Sequence, residues 1–328
     1  MRIFSLPSLL IASLLALGLA LTGVAARAQG LGGPAGGGPS HIHAHLEAED
    51  TRPAPGDVVT LAIVMEPERG WHGYWENPGD AGKPLNLSWQ LPEGATVGPP
   101  RYPVPQMLLV AGLMNHVYEG RYAVLMDLRL PQGLKPGEAL PIRVHADWLA
   151  CTDTICVPER ADLSLDLAVG APGAAATAEH RSAFDEYRRA LPRPLGGTAQ
   201  FQADGRGGLR LAIPFPGAAA LSSPYFFALT PGAKSYAAPQ EMVRDGDRLI
   251  IRLADFAAPQ GALEGVLRIG PDQGIAISAR AGTLAPVSAD ARAVAGDGHA
   301  PGAAAAPSSW GWGTILLAFG GAVLGGLV

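Results

Sequence analysis

Glycine and proline interrupt this chain so often, at 43 and 30 of its 328 positions, that long amphipathic helices have little room. Glycine raises the entropic cost of ordering a helix interior, and proline breaks it. The apolar runs between these breaks are short and mixed with polar residues, as in Val58, Leu61, Ile63 and Met65 and again in Leu163, Leu165 and Leu167. A period of two marks a strand with one buried face.

Strand-like runs bounded by turn signals recur at His43 to Ala48, Asp57 to Met65, Leu85 to Gln90, Arg121 to Leu130, Ile142 to Asp147 and Ala161 to Ala168. They predict a first β-sandwich over residues 41–169. A second strand-rich unit is expected over 198–284, with Leu209 to Phe215, Tyr225 to Leu229, Arg248 to Leu253 and Leu263 to Ile269 as its best strands. Between them, 170–197 reads as a linker holding one short helix, His180 to Ala190, with Phe184 and Tyr187 on one face and a stop at Leu191-Pro192. The expected fold is all-β, with two tandem immunoglobulin-like β-sandwich domains. The second contains neither Cys nor His and reads as a spacer or a platform for partners.

The two ends point to export and a membrane. Residues 1–28 have Arg2, an apolar run from Leu9 to Val24 and the small-residue site Ala26-Arg27-Ala28, the pattern of a secretory signal peptide. Residues 29–40 form a Gly/Pro/Ala tether and 285–309 a second linker. Residues 310–328 read as the opening of a transmembrane helix, with Trp310 and Trp312 as interfacial aromatics and no charge from Thr314 to Val328. That uncharged run is shorter than the roughly 20 residues a span needs. The net charge of -5 and scattered cations exclude a basic nucleic-acid surface.

Cys151 and Cys156 are the only cysteines, with Thr152 to Ile155 between them. In an oxidising compartment such a pair can persist as a disulfide. A bridge closing a loop of about six residues removes only about 2 kcal/mol of unfolded-state entropy, against roughly 4 kcal/mol for a loop of about sixty. The spacing is poor for a staple and good for a bridge at a hairpin tip, within reach of another protein's thiolate. A redox-active pair is the leading reading, and a stabilising disulfide in a structural tandem sandwich is the alternative.

The run Cys151-Thr152-Asp153-Thr154-Ile155-Cys156-Val157-Pro158-Glu159, preceded by Trp148-Leu149, resembles the reactive segment of the N-terminal periplasmic domain of DsbD-type thiol:disulfide interchange proteins. Tyr74-Trp75-Glu76-Asn77-Pro78-Gly79-Asp80-Ala81-Gly82-Lys83-Pro84 is similar to a segment of the ScsB branch. The resemblance implies a protein-disulfide reductase without cofactors, facing the periplasm from the bacterial inner membrane. Its transmembrane and C-terminal thioredoxin-like domains, which lie beyond this sequence, would donate electrons. Its clients would be thioredoxin-like periplasmic proteins, ScsC-like or others, including cytochrome c-type biogenesis factors.

By that resemblance Cys156 enters the mixed disulfide and Cys151 resolves it. Asn115 to Gly120 would form a cap loop, with Tyr118 as lid aromatic beside His116 and Glu119. Asp153 and Glu159 are the acids nearest the pair in sequence and could tune its thiols or relay a proton. Tyr74 and Trp75 could wall the site, and Asn77-Pro78-Gly79-Asp80 is first a turn signal. His41, His43 and His45 share one strand face and, with Met107 and Met114 as soft ligands elsewhere, offer an alternative role as a copper-binding or copper-tolerance module.

Overall fold

The computed structural model describes residues 40–171 and 178–294. The expected signal peptide, the tether up to residue 39, the later part of the second linker and the membrane opening lie outside them. Among the described residues no helix is long and apolar enough to cross a membrane.

Ten strands build the first β unit: β1 (Ile42–Ala48), β2 (Val58–Pro67), β3 (Gly73–Gly79), β4 (Asn86–Gln90), β5 (Thr96–Val97), β6 (Gln106–Val110), β7 (Leu113–Tyr118), β8 (Tyr122–Arg129), β9 (Ala139–Cys151) and β10 (Cys156–Ala168). They pair as β1-β2-β8-β5, β10-β9-β4 and β3-β7-β6. Leu61, Ile63 and Met65 of β2 and Val124, Met126 and Leu128 of β8 share one core with Leu140, Ile142, Val144, Ala146 and Trp148 of β9. That core is the predicted sandwich.

One helix follows, α1 (Ala178–Arg189). Phe184 and Tyr187 pack on Ala62, Val64, Ala123 and Leu125, the outer face of β2 and β8. Both faces of β2 are therefore covered, Leu61, Ile63 and Met65 on one side and Ala62 and Val64 on the other, where the alternation had implied a single buried face. Arg188 and Arg189 occupy the last turn, where the helix dipole favours cations.

The second β unit is one nine-stranded sheet: β11 (Arg193–Pro194), β12 (Ala199–Ala203), β13 (Leu209–Pro214), β14 (Tyr225–Ala228), β15 (Gln240–Asp245), β16 (Arg248–Leu253), β17 (Leu263–Gly270), β18 (Gln273–Ala281) and β19 (Arg292–Ala293). Its main path runs β14-β17-β18-β12-β13-β16-β15-β19, and β11 pairs with β18. Leu211, Ile213, Phe226, Leu249, Ile251, Leu267 and Ile277 form its own core.

The two units are not beads on a string. Tyr225, Phe227 and Val266 of the second belong to the same hydrophobic cluster as Trp75 and Val104 of the first. The contact arises from a bulge: β3 pairs with β7 at Tyr74↔Val117 and again at Gly79↔Asn115. Five steps on one strand answer two on the other, so the residues from Trp75 to Pro78 are extruded from the ladder. Asn77 donates its side-chain N–H groups to Ala228 O at 2.6 Å and to Tyr236 Oη at 2.8 Å. Asp80 accepts from Met114 N (2.9 Å), Ser235 Oγ (3.0 Å), Tyr236 N (2.7 Å) and Ala237 N (3.2 Å). A Cβ on Gly79, whose φ is +90°, would overlap Met114 O, so only glycine permits this crossing.

His116 sits at the centre of the junction, fully buried. The rings of Phe227, Tyr236, Trp75 and Tyr225 lie edge-on, with centroids at 4.9, 5.2, 5.8 and 5.9 Å. Its Nδ1–H donates to Asn77 O at 2.9 Å, and Nε2 has no hydrogen-bond partner among the described residues. Desolvation lowers its pKa from 6.5 to about 4, against smaller opposing effects of the Asn77 carbonyl and the Asp80 carboxylate.

The unfolded chain therefore takes up this proton near pH 6.5 and the folded chain only near 4. The stability attached to His116 is complete above 6.5 and falls by about 3 kcal/mol as pH drops through that window. Denaturant unfolding at pH 7 and pH 4.5 tests this. His116→Asn keeps an amide N–H for Asn77 O, and is expected to be less stable at pH 7 but to lose less on acidification. An equal acid loss in both chains would contradict the assignment.

Candidate redox site at the tip of a long hairpin

β9 and β10 pair without interruption from Ala139↔Ala168 to Cys151↔Cys156. The register makes the two cysteines direct cross-strand neighbours, with Cα atoms 4.1 Å apart, and they are joined by a disulfide. A four-residue tip closes the hairpin. Thr152 N donates to Ile155 O at 2.8 Å, and the Thr152 hydroxyl accepts from Thr154 N and Ile155 N, each at 3.2 Å. A hydroxyl satisfying two turn amides holds a short loop without glycine.

The two sulfurs have different surroundings. Cys151 is 1% exposed and packs with Tyr74 and Val117, backed by Leu108 and Leu149. Cys156 is exposed, and beside it Ile155 is 55% exposed. Leu108 comes from β6 and Val117 from β7, so the β6–β7 hairpin packs on the buried half of the pair. Its turn at Ala111 and Gly112, both at positive φ, suits a tight two-residue connection. A Cβ at Gly82 would overlap the Tyr74 ring, so the segment after Asp80 lies close against that ring.

One residue at the pair carries no sequence motif. His72, just before β3, exchanges both backbone hydrogen bonds with Cys151, at 2.8 and 3.1 Å, as an isolated antiparallel bridge. It is 3% exposed, and its Nε2 lies 3.4 Å from Tyr74 Oη. Burial lowers the His72 pKa from 6.5, while the Asp153 carboxylate pulls the other way.

Of the residues expected to shape the site, Tyr74 packs on Cys151 and Asp153 stands exposed at the hairpin tip. The others lie elsewhere. Tyr118 projects from the face of β7 opposite to Val117. Its ring stacks on Tyr122 at 4.1 Å and its hydroxyl donates to Pro103 O at 2.7 Å. It is a core residue, not a lid over the disulfide. His116 and Trp75 face the second β unit instead, and Glu119 is exposed in the turn after β7. Asn115 to Tyr118 belong to strand β7 rather than to a cap loop.

Glu159 is buried on the inner face of β10, away from Cys156. Its carboxylate accepts from His41 N (2.6 Å), Ile42 N (3.2 Å), Ser40 Oγ (3.2 Å) and Trp148 Nε1 (3.0 Å). It pins the start of β1 and takes no part at the thiols.

The three histidines of the N-terminal segment do share a face, as their alternation implies, but each is engaged. His41 stacks on Trp71 at 3.6 Å and meets Glu68 at 3.2 Å. His43 lies 3.7 Å from the same carboxylate, and His45 pairs with Glu47 at 2.9 Å. Among the described residues no group of three or more His, Cys, Asp or Glu side chains is placed to hold a metal.

The family described as Thiol:disulfide interchange protein DsbD, N-terminal, matches residues 44–168. Comparison with curated proteins gives no match. The N-terminal periplasmic domain of ScsB from Proteus mirabilis is similar in fold, with 16% identity over 73% of this chain and 93% of that one and a TM-score of 0.54. BcpA, the major pilin subunit of Bacillus cereus, aligns over 73% of this chain and 68% of its own at 8% identity, with a TM-score of only 0.25. The first β-sandwich of this chain is therefore similar to the DsbD N-terminal family of thiol:disulfide interchange domains.

Proposed function

We propose that the chain is a periplasmic protein-disulfide reductase module, held at the bacterial inner membrane, that passes reducing equivalents through Cys151 and Cys156 to thioredoxin-like partners. The observation that carries this reading is the asymmetry of the pair: one sulfur is buried under the β6–β7 hairpin and the other is open at the hairpin tip.

Exchange needs a thiolate that can approach its target sulfur along the disulfide axis. Cys156 has that access. In the reduced module its thiolate attacks one sulfur of a client disulfide, forming a mixed disulfide and releasing the other client sulfur as a thiolate. Cys151, held opposite by the ladder register, then attacks Cys156 Sγ. The Cys151–Cys156 bond forms, and the client leaves with both sulfurs reduced. The module ends oxidised and must be recharged by an electron donor, for which membrane-embedded and thioredoxin-like domains are the natural source.

The exposed Ile155 next to Cys156 gives a docking partner apolar area at the point of attack. A bridge over so short a loop contributes at most about 2 kcal/mol through the unfolded state. The fold rests on its cores, so breaking the bridge in each turnover does not endanger it.

Two outcomes follow. Cys151→Ser, reduced and mixed with an oxidised thioredoxin-fold protein, is expected to accumulate a covalent complex through Cys156 that dithiothreitol dissolves, while Cys156→Ser accumulates none. Equal trapping by both variants, or by neither, would remove the assigned roles. The double Cys→Ser chain is expected to lose no more than about 2 kcal/mol in denaturant unfolding; a loss of 4 kcal/mol or more would mark the bridge as a structural element.

A further inference from the structure

Residues directly opposite in an antiparallel pair project from the same face with Cβ atoms about 5 Å apart. Cys151 has two such neighbours, Cys156 on β10 and His72 on the other side. The ladder thus lays His72, Cys151 and Cys156 in one row across three chain segments. Both backbone hydrogen bonds between His72 and Cys151 are made, so the main chain fixes the two side chains on the same face as cross-strand neighbours. Tyr74, two residues on and packed on Cys151, meets His72 Nε2 at 3.4 Å and limits its ring orientation.

The resolving step poses a chemical difficulty that this row answers. Reduced Cys151 sits among Tyr74, Val117, Leu108 and Leu149, and apolar surroundings disfavour a thiolate. It must nevertheless become one to attack Cys156 Sγ. We propose that His72 is the general base for Cys151, a role that rests on the exchange reading above. The neutral imidazole takes the thiol proton, giving Cys151 thiolate and His72 imidazolium. The thiolate attacks Cys156 Sγ, the Cys151–Cys156 bond forms, and the client sulfur leaves with the bonding pair. The imidazolium then yields its proton to the departing thiolate or to water.

Burial keeps His72 neutral at pH 7, the state a base requires. Asp153 at the hairpin tip is the charged group acting on it, and its carboxylate favours the transient imidazolium. Tyr74 is its titratable neighbour two residues along the chain, and its own pKa is raised by burial, so it stays protonated.

A two-step chromogenic exchange tests this on the full chain. Reduced protein is mixed with 5,5′-dithiobis(2-nitrobenzoate): Cys156 attack releases one coloured thiolate, and Cys151 resolution releases the second. His72→Gln is expected to leave the first phase within about threefold and to slow the second by about a hundredfold, the usual size of a general-base contribution. In the natural chain the second phase should fall on acidification as His72 protonates, whereas in His72→Gln it should follow simple thiol ionisation, rising about tenfold per pH unit. Tyr74→Phe keeps the ring on Cys151 while removing the hydroxyl beside Nε2, and should slow only the second phase, by several-fold. An unchanged second phase in both variants, or equal slowing of both phases, overturns the proposal. If Cys151→Ser traps no client while these kinetics hold, the exchange reading fails and the base assignment stands.

Discussion

The uninterrupted register of the β9–β10 hairpin is the constraint from which the site follows. Thirteen consecutive pairs end at Cys151↔Cys156, and a slip of one residue would send one sulfur to each face of the sheet. The register is secured far from the cysteines. Leu140, Ile142, Val144, Ala146 and Trp148 point into the core on one strand, and Leu163 and Leu167 on the other. Core packing is thereby converted into the placement of a reactive bond at the hairpin tip.

The β3–β7 pair gives the site its surroundings by presenting two different faces. Tyr74 and Val117 cover Cys151, while Trp75 and His116, one residue away on each strand, enter the junction with the second β unit. Alternation along a strand thus joins the cover of the disulfide to the interface between the units. Asp80 strengthens the link, since one carboxylate accepts both from Met114 N of β7 and from the Ser235 to Ala237 segment. The second unit buttresses the hairpin that shields the buried sulfur.

Much of the fold was legible in the residues because burial leaves a period. The strands of the first core and α1 could be read from Leu61, Ile63 and Met65 and from the Phe184/Tyr187 stripe, since each packs an apolar face against a neighbour. The cysteine pair was legible from its isolation and short spacing. The bulge at Trp75 to Pro78 was not, because Asn-Pro-Gly-Asp carries the chemistry of a turn whether the chain reverses or is merely extruded from a ladder. The cap at Tyr118 and His116 came from the resemblance, and the residues around them do not say which face of β7 meets which partner. His72 was silent since its place beside Cys151 depends on a long-range bridge that no local pattern announces.

Whether this bridge is built to open and close is tested most directly by equilibrating residues 40–294 in glutathione redox buffers and counting free thiols at Cys151 and Cys156 by alkylation and mass. A redox-active bridge gives a midpoint between roughly -270 and -120 mV, the span of thiol:disulfide exchange proteins. A bridge that stays closed well below about -300 mV, as structural disulfides do, would contradict a redox role.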